Sequence, residues 1–373
     1  MVLPATAGYA TSEGTARFRD RQKNVPKEHY RGGMELLFSD LGIGTYLGAH
    51  DFETDVRYTD AVVQAVENGV NAVDTAINYR YQRSERAIGE ALRRLFSSGL
   101  VSRDEIVVAT KGGYLSFDGN VPADPHSYFE ETYIRPGILR VGEIAGGCHC
   151  IEPTYLRHEL DKSLGNLGLS TVDIYYVHNA ETQLESVNRQ TFDRRLEAAF
   201  RFLEEEVEAG RIRRYGLATW DGFRVPPEAR NYLSLRHVME IAHRVAGDRH
   251  HFSAVQLPFN LMLREAALAP TQEWNGGRVS FFEVAQAHGL IVMGSVPLYQ
   301  AKLMGKLPEL LQQALGETRT DAQRAIAFAA AAPGLTTALV GMSRSYHVIE
   351  NTAYLRELRL KSALFKAILD HLE

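Results

Sequence analysis

The stretch "NAVDTAINYRYQRSERAIGEAL", residues 71–92, contains one complete strand-and-helix unit. It opens with an apolar run typical of a buried strand, which ends at Asp74. It closes with a helical pattern behind Ser84, a predicted N-cap, and the apolar face of this helix comprises Ala87, Ile88, Ala91, Leu92 and Leu95. Tyr79 lies in the loop between. An acid at a strand end and a phenol in a loop are poor choices for packing, which indicates a chemical role.

Similar apolar runs recur along the chain, and amphipathic segments such as residues 191–210 separate them. Strands followed by helices, with no alternation of polar and apolar residues, are typical of parallel strands buried on both faces. A closed α/β barrel, the (β/α)8 TIM barrel, is the simplest arrangement with eight such units. The eight predicted strands are residues 37–44, 71–75, 105–110, 171–177, 213–219, 252–258, 290–296 and 336–341.

The chain divides into a polar N-terminal arm, residues 1–33, and a single barrel domain, residues 34–373. The interval between the third and fourth strands is too long for one helix and two loops. Its excess, about residues 113–152, is an insertion at the strand end where barrels place substrate loops. The alternative is a surface loop without a function, but long loops in compact domains are usually functional. We therefore predict an extended substrate loop.

Composition excludes several classes of partner. With 45% hydrophobic and 23% charged residues and a net charge of −5, the chain has no basic stripe for nucleic acid or anionic lipid. No apolar run is long enough for a membrane span, and two cysteines are typical of the reducing cytoplasm, so we expect a cytoplasmic protein. The spacing of "CHC" at 148–150 is poor for a tetrahedral metal site, and no metal is predicted. The sequence does not predict an oligomeric state.

Polar residues stand where the predicted strands end, and in a barrel these ends share one mouth. Burying such groups without partners costs several kcal/mol each, so an Asp, a Lys, a His and a loop Tyr together indicate a site. The residues at the predicted mouth are Gly44, Thr45, Asp74, Lys111, His178, Thr219, Gln256 and Gly341.

Four of these side chains suit proton delivery to an oxygen that acquires negative charge. An ammonium near a phenol favours the phenolate, so we expect Lys111 to lower the pKa of Tyr79. Asp74 would keep Lys111 charged, and His178 would donate a hydrogen bond to a carbonyl oxygen. None of the four can supply a hydride, so a hydride would come from a cofactor.

Three motifs make this pattern resemble the aldo/keto reductase superfamily over about residues 35–355. They are "VDTAINY", with Tyr five residues after Asp, "IVVATKGG" and "VDIYYVHN". The resemblance implies a catalytic tetrad of Asp74, Tyr79, Lys111 and His178, with Tyr79 as the general acid. Two features resemble the potassium-channel β-subunit-like branch of the family. They are Trp220 and the Gly-x-Ser-Arg form of the later motif "LVGMSRSYHVIENTAYL".

The resemblance also implies where a dinucleotide would bind. "LGIGTYLG" would bring Gly44, Thr45 and Tyr46 to the nicotinamide riboside, and "VPLYQAKLMGK" would bring Leu298, Gln300 and Lys306 to the pyrophosphate. The family's strand-five serine is replaced, since the motif here ends Ala218-Thr219-Trp220, and its stacking aromatic is replaced near Ser295. The other implied cofactor residues are Asp74, Gln256 and Gly341.

The motif "LVGMSRSYHVIENTAYL" resembles the family's adenosine end. The resemblance implies that Ser343 and Arg344 hold a 2′-phosphate and that Glu350 and Asn351 contact the adenine. A planar guanidinium binds phosphate oxygens in pairs, so NADPH is the expected cofactor. His347 stands where the family commonly has Gln.

The sequence thus predicts an NADPH-dependent aldo/keto reductase that acts on a small aldehyde or ketone. Tyr46, His50 and Trp220, on loops near the mouth, are candidate substrate contacts. One alternative is an NADP(H)-binding regulatory subunit with little turnover, which the branch resemblance allows. Another is a Schiff-base enzyme with Lys111 as nucleophile.

Overall fold

The computed structural model describes residues 4–307, 309–315, 319–357 and 359–372. Eight parallel strands close into a barrel in the order of the chain, with the eighth strand paired to the first and the sixth to the seventh. The predicted (β/α)8 TIM barrel is therefore confirmed. Its strands are β1 (Leu41–Gly44), β2 (Ala72–Asp74), β3 (Val107–Gly112), β4 (Val172–His178), β5 (Ile212–Ala218), β6 (Phe252–Pro258), β7 (Ile291–Ser295) and β8 (Thr337–Gly341).

Helices surround the barrel, and their apolar faces pack on the outer faces of the strands in one continuous core. In chain order the helices are Ser12–Arg21, Phe52–Glu67, Arg83–Ser97, Pro125–Phe129, Pro153–Leu167, Arg189–Glu208, Leu235–Ala246, Glu265–Leu268, Phe281–Ala287, Glu309–Leu315, Asp321–Ala331, Ser345–Thr352 and Ser362–Leu372. A surface hairpin, Gln272–Trp274 with Gly277–Val279, lies outside the barrel. No helix in the described ranges is long and apolar enough to cross a membrane.

Two local predictions about these elements were wrong. The predicted first strand is two strands, Leu36–Ser39 and β1, because the chain turns at the buried Asp40, whose N–H donates to the carbonyl of His29. Ser84 is not an N-cap: its helix begins one residue earlier, behind Gln82 in a left-handed conformation with φ 70°. Ser84 Oγ instead donates to the carbonyl of Thr45 at 2.7 Å, which ties this helix to the loop after β1.

The N-terminal segment closes the bottom of the barrel. Tyr30–Gly33 pairs with Leu36–Ser39 in an antiparallel hairpin, and Phe38 of this hairpin packs with the residues inside the barrel. The predicted boundary after residue 33 falls in the turn of this hairpin, and the first three residues of the predicted arm lie outside the described residues. With the bottom closed, the carboxyl ends of the strands form the open end of the barrel.

The insertion between β3 and the helix Pro153–Leu167 has a small core of its own. It contains the helix Pro125–Phe129, a π-helix at Glu130–Ile134 and a 3-10 turn at Val141–Glu143. The core of the insertion consists of Leu115, Tyr128, Phe129, Tyr133, Ile134, Ile138, Leu139, Ile144, Cys150 and Tyr155. The segment therefore packs as a folded unit beside the open end of the barrel.

Candidate active site

The four predicted catalytic side chains meet at the open end of the barrel. Lys111 on β3 is fully buried, and its Nζ lies 2.7 Å from Asp74 Oδ2 at the end of β2. The same Nζ lies 2.7 Å from the carbonyl oxygen of Thr75 and 3.3 Å from the phenol oxygen of Tyr79. The ring of His178, at the end of β4, has its centroid 5.8 Å from that of Tyr79. The structure thus places Lys111 behind Tyr79.

The surroundings of Lys111 match a charged amine. An ammonium has three N–H donors, and Lys111 has three acceptors, on Asp74, Thr75 and Tyr79. Burial lowers the pKa of Lys111, and the contact with Asp74 opposes that shift. Burial likewise raises the pKa of Asp74, against the contacts with Lys111 and with Gln256, whose Nε2 donates to Asp74 Oδ1 at 2.8 Å. The geometry is therefore that of a buried ion pair.

The pKa of Tyr79 is not lowered on balance, contrary to the expectation from the position of Lys111. Burial raises the pKa of Tyr79 well above its usual value, and the nearby Asp74 carboxylate raises it further. Both effects disfavour a phenolate in the resting site. Tyr79 is consequently held as a neutral phenol that carries its proton, and the N–H of Lys111 points at the oxygen on which charge would develop when that proton leaves.

His178 is held as a neutral imidazole. Burial lowers its pKa well below the usual range, and the charge on Lys111 lowers the pKa further. A neutral imidazole has one N–H donor, which suits a carbonyl oxygen. The ring packs edge-on against Tyr114 as well as Tyr79, with a centroid distance of 5.0 Å to Tyr114. His178 is therefore confined between two phenol rings.

A cleft of about 1100 Å³ crosses the strand ends beside these side chains. It runs from Tyr79 and His178 past the ends of β5 to β8 to the helix Ser345–Thr352. Of the residues predicted from the sequence, those that line it are Gly44, Thr45, Tyr46, Asp74, Tyr79, His178, Thr219, Trp220, Gln256, Leu298, Gln300, Gly341, Ser343, Glu350 and Asn351. The structure thus brings together residues from distant parts of the chain along one groove.

Four predicted residues are not part of this lining, one of which is Lys111, buried behind Tyr79. Lys306 and Arg344 are exposed next to Gly305 and Ser343, which do line the cleft. His50 is exposed, and its ring packs on Tyr81 at a centroid distance of 4.3 Å. The two cations are therefore at the rim of the cleft, whereas His50 points to a neighbouring aromatic ring.

The loop after β7, residues 296–307, lines one side of the cleft and has an unusual backbone conformation. Val296 has φ 50° and Gln300 has φ 54°, a left-handed region that few residues other than glycine adopt. Such strain persists where the surrounding structure holds it and clusters at ligand clamps. The far end of the loop is held by Asp321, whose Oδ2 accepts from the N–H of Gly305 at 2.8 Å.

Several cleft residues were not predicted from the sequence. Asn179 and Tyr114 follow His178 and Lys111 closely, so their positions beside two motifs were an available signal. Asn179 Nδ2 donates to the Tyr114 hydroxyl at 3.1 Å. Asp321 begins a distant helix and carries no such signal. The others are Leu47, Tyr58, Asn78, Val296, Pro297, Ala301, Met304, Gly305, Ala322, Leu339, Val340 and His347.

Comparison with known protein families gives one match across most of the chain. The model described as "Aldo/keto reductase family" matches residues 40–373. The matched segment starts at the turn before β1 and includes all eight barrel strands, so the match covers the whole site described above.

Curated relatives are similar at low identity. NADH-specific methylglyoxal reductase of Escherichia coli K12 is 28% identical over 154 residues, 39% of this chain and 40% of that protein. The chain matches less than half the length of this relative and of the uncharacterized oxidoreductase YqkF of Bacillus subtilis, where the match covers 47%. A putative voltage-gated potassium channel subunit beta of Schizosaccharomyces pombe is 24% identical over 347 residues, 88% of each chain. The predicted similarity to that branch is confirmed.

Solved structures of similar fold cover nearly the whole chain. An aldo/keto reductase from Klebsiella pneumoniae in complex with NADP and acetate has a TM-score of 0.60 at 19% identity, over 91% of this chain and 93% of that chain. An aldo-keto reductase from Bacillus halodurans in its holo form has a TM-score of 0.60 at 22% identity, over 91% and 95%. At these identities the comparison shows a common fold.

Proposed function

The chain belongs to the aldo/keto reductase family, and on that premise we propose that it reduces an aldehyde or ketone to an alcohol with NADPH, with Tyr79 as general acid. The observation that carries the proposal is the position of Lys111 Nζ, which touches Asp74, Thr75 and the Tyr79 oxygen behind the wall of the cleft. This arrangement stabilises negative charge at one oxygen of one phenol, which is what a proton donor to an alkoxide needs.

The lining of the cleft fits a dinucleotide. Gly44 and Gly341 are paired at the ends of β1 and β8, and a Cβ built on either would find no protein atom nearer than 4.0 Å. Their backbones therefore face open space that a ligand can fill. Thr219 Oγ1 and Asn351 Oδ1 are buried in the lining and have no hydrogen-bond partner within the described part of the chain. These two atoms suit the polar groups of a bound nucleotide.

We assign the two ends of the cofactor from this lining. Thr219 and Gln256 would contact the nicotinamide end beside Tyr79, and Glu350 and Asn351 the adenosine end. Arg344 at the rim would reach a 2′-phosphate next to Ser343, which supports the choice of NADPH. When bound, the reduced nicotinamide supplies the hydride for the carbonyl carbon.

The protein's own groups act on the carbonyl oxygen. The single N–H of neutral His178 orients that oxygen, and Tyr79 releases its proton as negative charge forms there. The proton moves from a phenol to an alkoxide, a stronger base, so a raised pKa of Tyr79 does not prevent the transfer. Lys111 then holds the phenolate by the contact that is 3.3 Å long in the resting site.

The test is a titration with NADPH and with NADH, followed by a carbonyl panel monitored by the loss of reduced cofactor. We expect tighter binding of NADPH, and turnover with at least one aldehyde or ketone. Arg344→Ala should weaken NADPH binding about tenfold, as expected for one charge-assisted contact, and leave NADH binding unchanged. Arg356→Ala, at an exposed arginine bonded to Asn68, is the matched control and should change neither.

Three results would contradict the proposal. Tight NADPH binding with no turnover on any carbonyl would favour a regulatory subunit, a role that the potassium channel subunit relative keeps open. Borohydride trapping of a carbonyl compound on Lys111 would indicate Schiff-base chemistry. Equal effects of Arg344→Ala on both nucleotides would refute the 2′-phosphate contact.

A further inference from the structure

The base of the insertion is a short ladder beside the catalytic residues. The N–H of Leu115 donates to the carbonyl of Cys148, and the N–H of Cys150 donates to the carbonyl of Gly113, both at 2.8 Å. Tyr114 and His149 are therefore directly opposite each other in an antiparallel bridge. The centroids of their rings are 4.9 Å apart. The "CHC" stretch, for which no metal site is predicted, thus places His149 next to the candidate active site.

The side chain of His149 is fully buried and makes two hydrogen bonds of fixed direction. Its Nε2 lies 2.6 Å from the carbonyl oxygen of His178, which can only accept, so Nε2 carries the proton. Its Nδ1 lies 2.8 Å from Gln183 Nε2, which can only donate. The orientation of the Gln183 amide follows from Arg195, whose Nη1 donates to Gln183 Oε1 at 2.6 Å. The ring is therefore neutral with its proton on Nε2.

The surroundings of His149 leave little room for a different position of its ring. A Cβ built on Gly113 would lie 2.9 Å from His149 Nε2 and 3.0 Å from the His178 oxygen, so a side chain there would press on this hydrogen bond. Gly113 also has φ 146°, which residues with side chains rarely adopt. Burial lowers the pKa of His149 to about 4, in keeping with a neutral ring.

The hydrogen bond from His149 fixes the backbone carbonyl of His178, the last residue of β4. The next residue, Asn179, turns away with φ 45°, so no regular strand continues to fix the His178 carbonyl. We propose that His149 is a positioning residue for His178: it anchors the backbone of His178 and, with Tyr114, sets the direction of that imidazole toward the carbonyl oxygen of the substrate. The proposal rests on the proposed function, because it assumes that His178 orients a carbonyl.

The test compares two substitutions at the same position. His149→Leu removes the donor, and kcat should fall about tenfold or more while the dissociation constant of NADPH stays the same, since small misplacements of a catalytic group are costly. His149→Gln places an amide N–H near the Nε2 position and should keep kcat within about threefold. Cys148→Ser, at the adjacent exposed residue, is the control and should behave as the wild type.

A double-mutant cycle separates positioning from a general loss of stability. If His149 acts through His178, then His149→Leu should cause no further loss of kcat in a His178→Ala background. An equal fold-loss in both backgrounds, or an unchanged kcat in a folded His149→Leu protein, would overturn the proposal. If His149→Leu does not fold, Gln183→Leu tests the same anchor, because it leaves His149 Nδ1 without its donor, and its effect on kcat should also vanish in the His178→Ala background.

A measurement that does not depend on turnover tests this proposal separately from the proposed function. Diethyl pyrocarbonate acylates neutral imidazoles, and peptide mapping reports its reaction with His178. We expect His178 to react several times faster in His149→Leu than in the wild type or His149→Gln. If the wild type turns over no carbonyl, the proposed function fails while this comparison still stands, and equal rates of modification would overturn the positioning role.

Discussion

At the scale of single residues, the buried pair of Lys111 and Asp74 is the feature that most needs an explanation. Taking two charges out of water costs several kcal/mol for each ion, and replacing such pairs with apolar residues is often neutral or stabilising. Stability alone therefore does not account for the pair. The role proposed for Tyr79 does account for it, because a fixed ammonium in contact with the phenol oxygen would stabilise charge that appears only during proton transfer.

Asp74→Asn should break this pair. Removing one partner leaves an uncompensated buried charge, so the free energy of unfolding should fall by about 3 kcal/mol. The pKa of Lys111, already lowered by burial, should fall further, so turnover at neutral pH should drop and partly recover as the pH is lowered. Chemical denaturation and a pH–rate profile measure both.

The control for Asp74→Asn is Asp118→Asn. Asp118 pairs with Arg86 at 2.5 Å on the surface, where both side chains are more than 40% exposed. That substitution should change the free energy of unfolding by less than about 1 kcal/mol. Equal effects of the two substitutions, or full turnover in Asp74→Asn, would contradict the role assigned to the buried pair.

Sequence reasoning located this tetrad but not its electrostatics. Polar residues at the ends of apolar strands are visible in the printed chain, and a barrel brings strand ends together. The pKa of Tyr79 depends on how deeply the phenol is buried and on how close Asp74 lies, and neither quantity is visible in a motif. The direction of the shift could therefore be read only from the structure.

At the scale of elements, the close packing of β3 against β4 places Lys111. Gly112, the last residue of β3, has no side chain where Tyr175 of β4 passes: a Cβ there would lie 2.1 Å from the Tyr175 hydroxyl oxygen. Tyr175 is fully buried, so its ring has no open space to move into. The glycine is thus required by packing next to Lys111.

Gly112→Ala should destabilise the protein by about 1–3 kcal/mol, the usual cost of overpacking, and should lower turnover because Lys111 is its neighbour. The matched variant is Gly165→Ala in the helix Pro153–Leu167, where a Cβ meets no atom within 4 Å. That substitution should stabilise by about 0.5 kcal/mol, because alanine loses less backbone entropy in a helix than glycine. Thermal unfolding of both variants measures the difference, and equal shifts would contradict the packing argument.

Strand positions were predicted within about two residues for β2 to β8, since buried parallel strands are continuous apolar runs. The first strand was wrong because the turn at Asp40 depends on contacts with His29, far from any local turn signal. Ser84 was misread for a similar reason: a serine before an apolar face is a typical N-cap, but here its hydroxyl bonds to the Thr45 carbonyl.

At the scale of the whole molecule, the charge of the cleft bears on the choice of substrate. No Lys or Arg is among the described residues that line the cleft. The nearest buried cation, Lys111, is already paired with Asp74. An anionic group on a substrate bound beside Tyr79, away from the rim at Arg344, would therefore lose water without gaining a cationic partner, which is costly.

We accordingly expect a preference for uncharged carbonyl compounds. For glyceraldehyde and its 3-phosphate, kcat/KM should favour the neutral compound by at least about tenfold, equivalent to about 1.4 kcal/mol. Steady-state kinetics on the pair measures this ratio. A preference for the phosphate, as the name of the similar L-glyceraldehyde 3-phosphate reductase of Escherichia coli O157:H7 indicates for that protein, would contradict the expectation.

The pH dependence of stability should reflect a buried acid outside the cleft. Glu159, on the helix Pro153–Leu167, is fully buried, and burial, with the nearby Glu85, raises its pKa to about 8 from 4.5. A group whose pKa is raised on folding contributes stability that is fully present below its unfolded pKa of 4.5, and this contribution is lost progressively as the pH rises from there to about 8. Glu159→Gln should therefore reduce the fall in Tm between about pH 4.5 and pH 8, and identical Tm profiles for both proteins would contradict this.

The internal arrangement of the insertion could not be predicted from the sequence. Its position between β3 and the next helix follows from strand spacing, but its core and its base are built from contacts among residues far apart in the chain. The hydrogen bond from His149 to His178 is one example, since "CHC" indicates nothing about the strand end that it supports.

The most direct test of the central claim is the turnover of Tyr79→Phe, with Tyr81→Phe as the control. Tyr81 lies in the same loop, and its ring packs on His50 and Phe117, away from Lys111. We predict that Tyr79→Phe binds NADPH as tightly as the wild type and loses at least about 100-fold in kcat, the usual contribution of a general acid, while Tyr81→Phe keeps its activity. Wild-type kcat in Tyr79→Phe would contradict the claim.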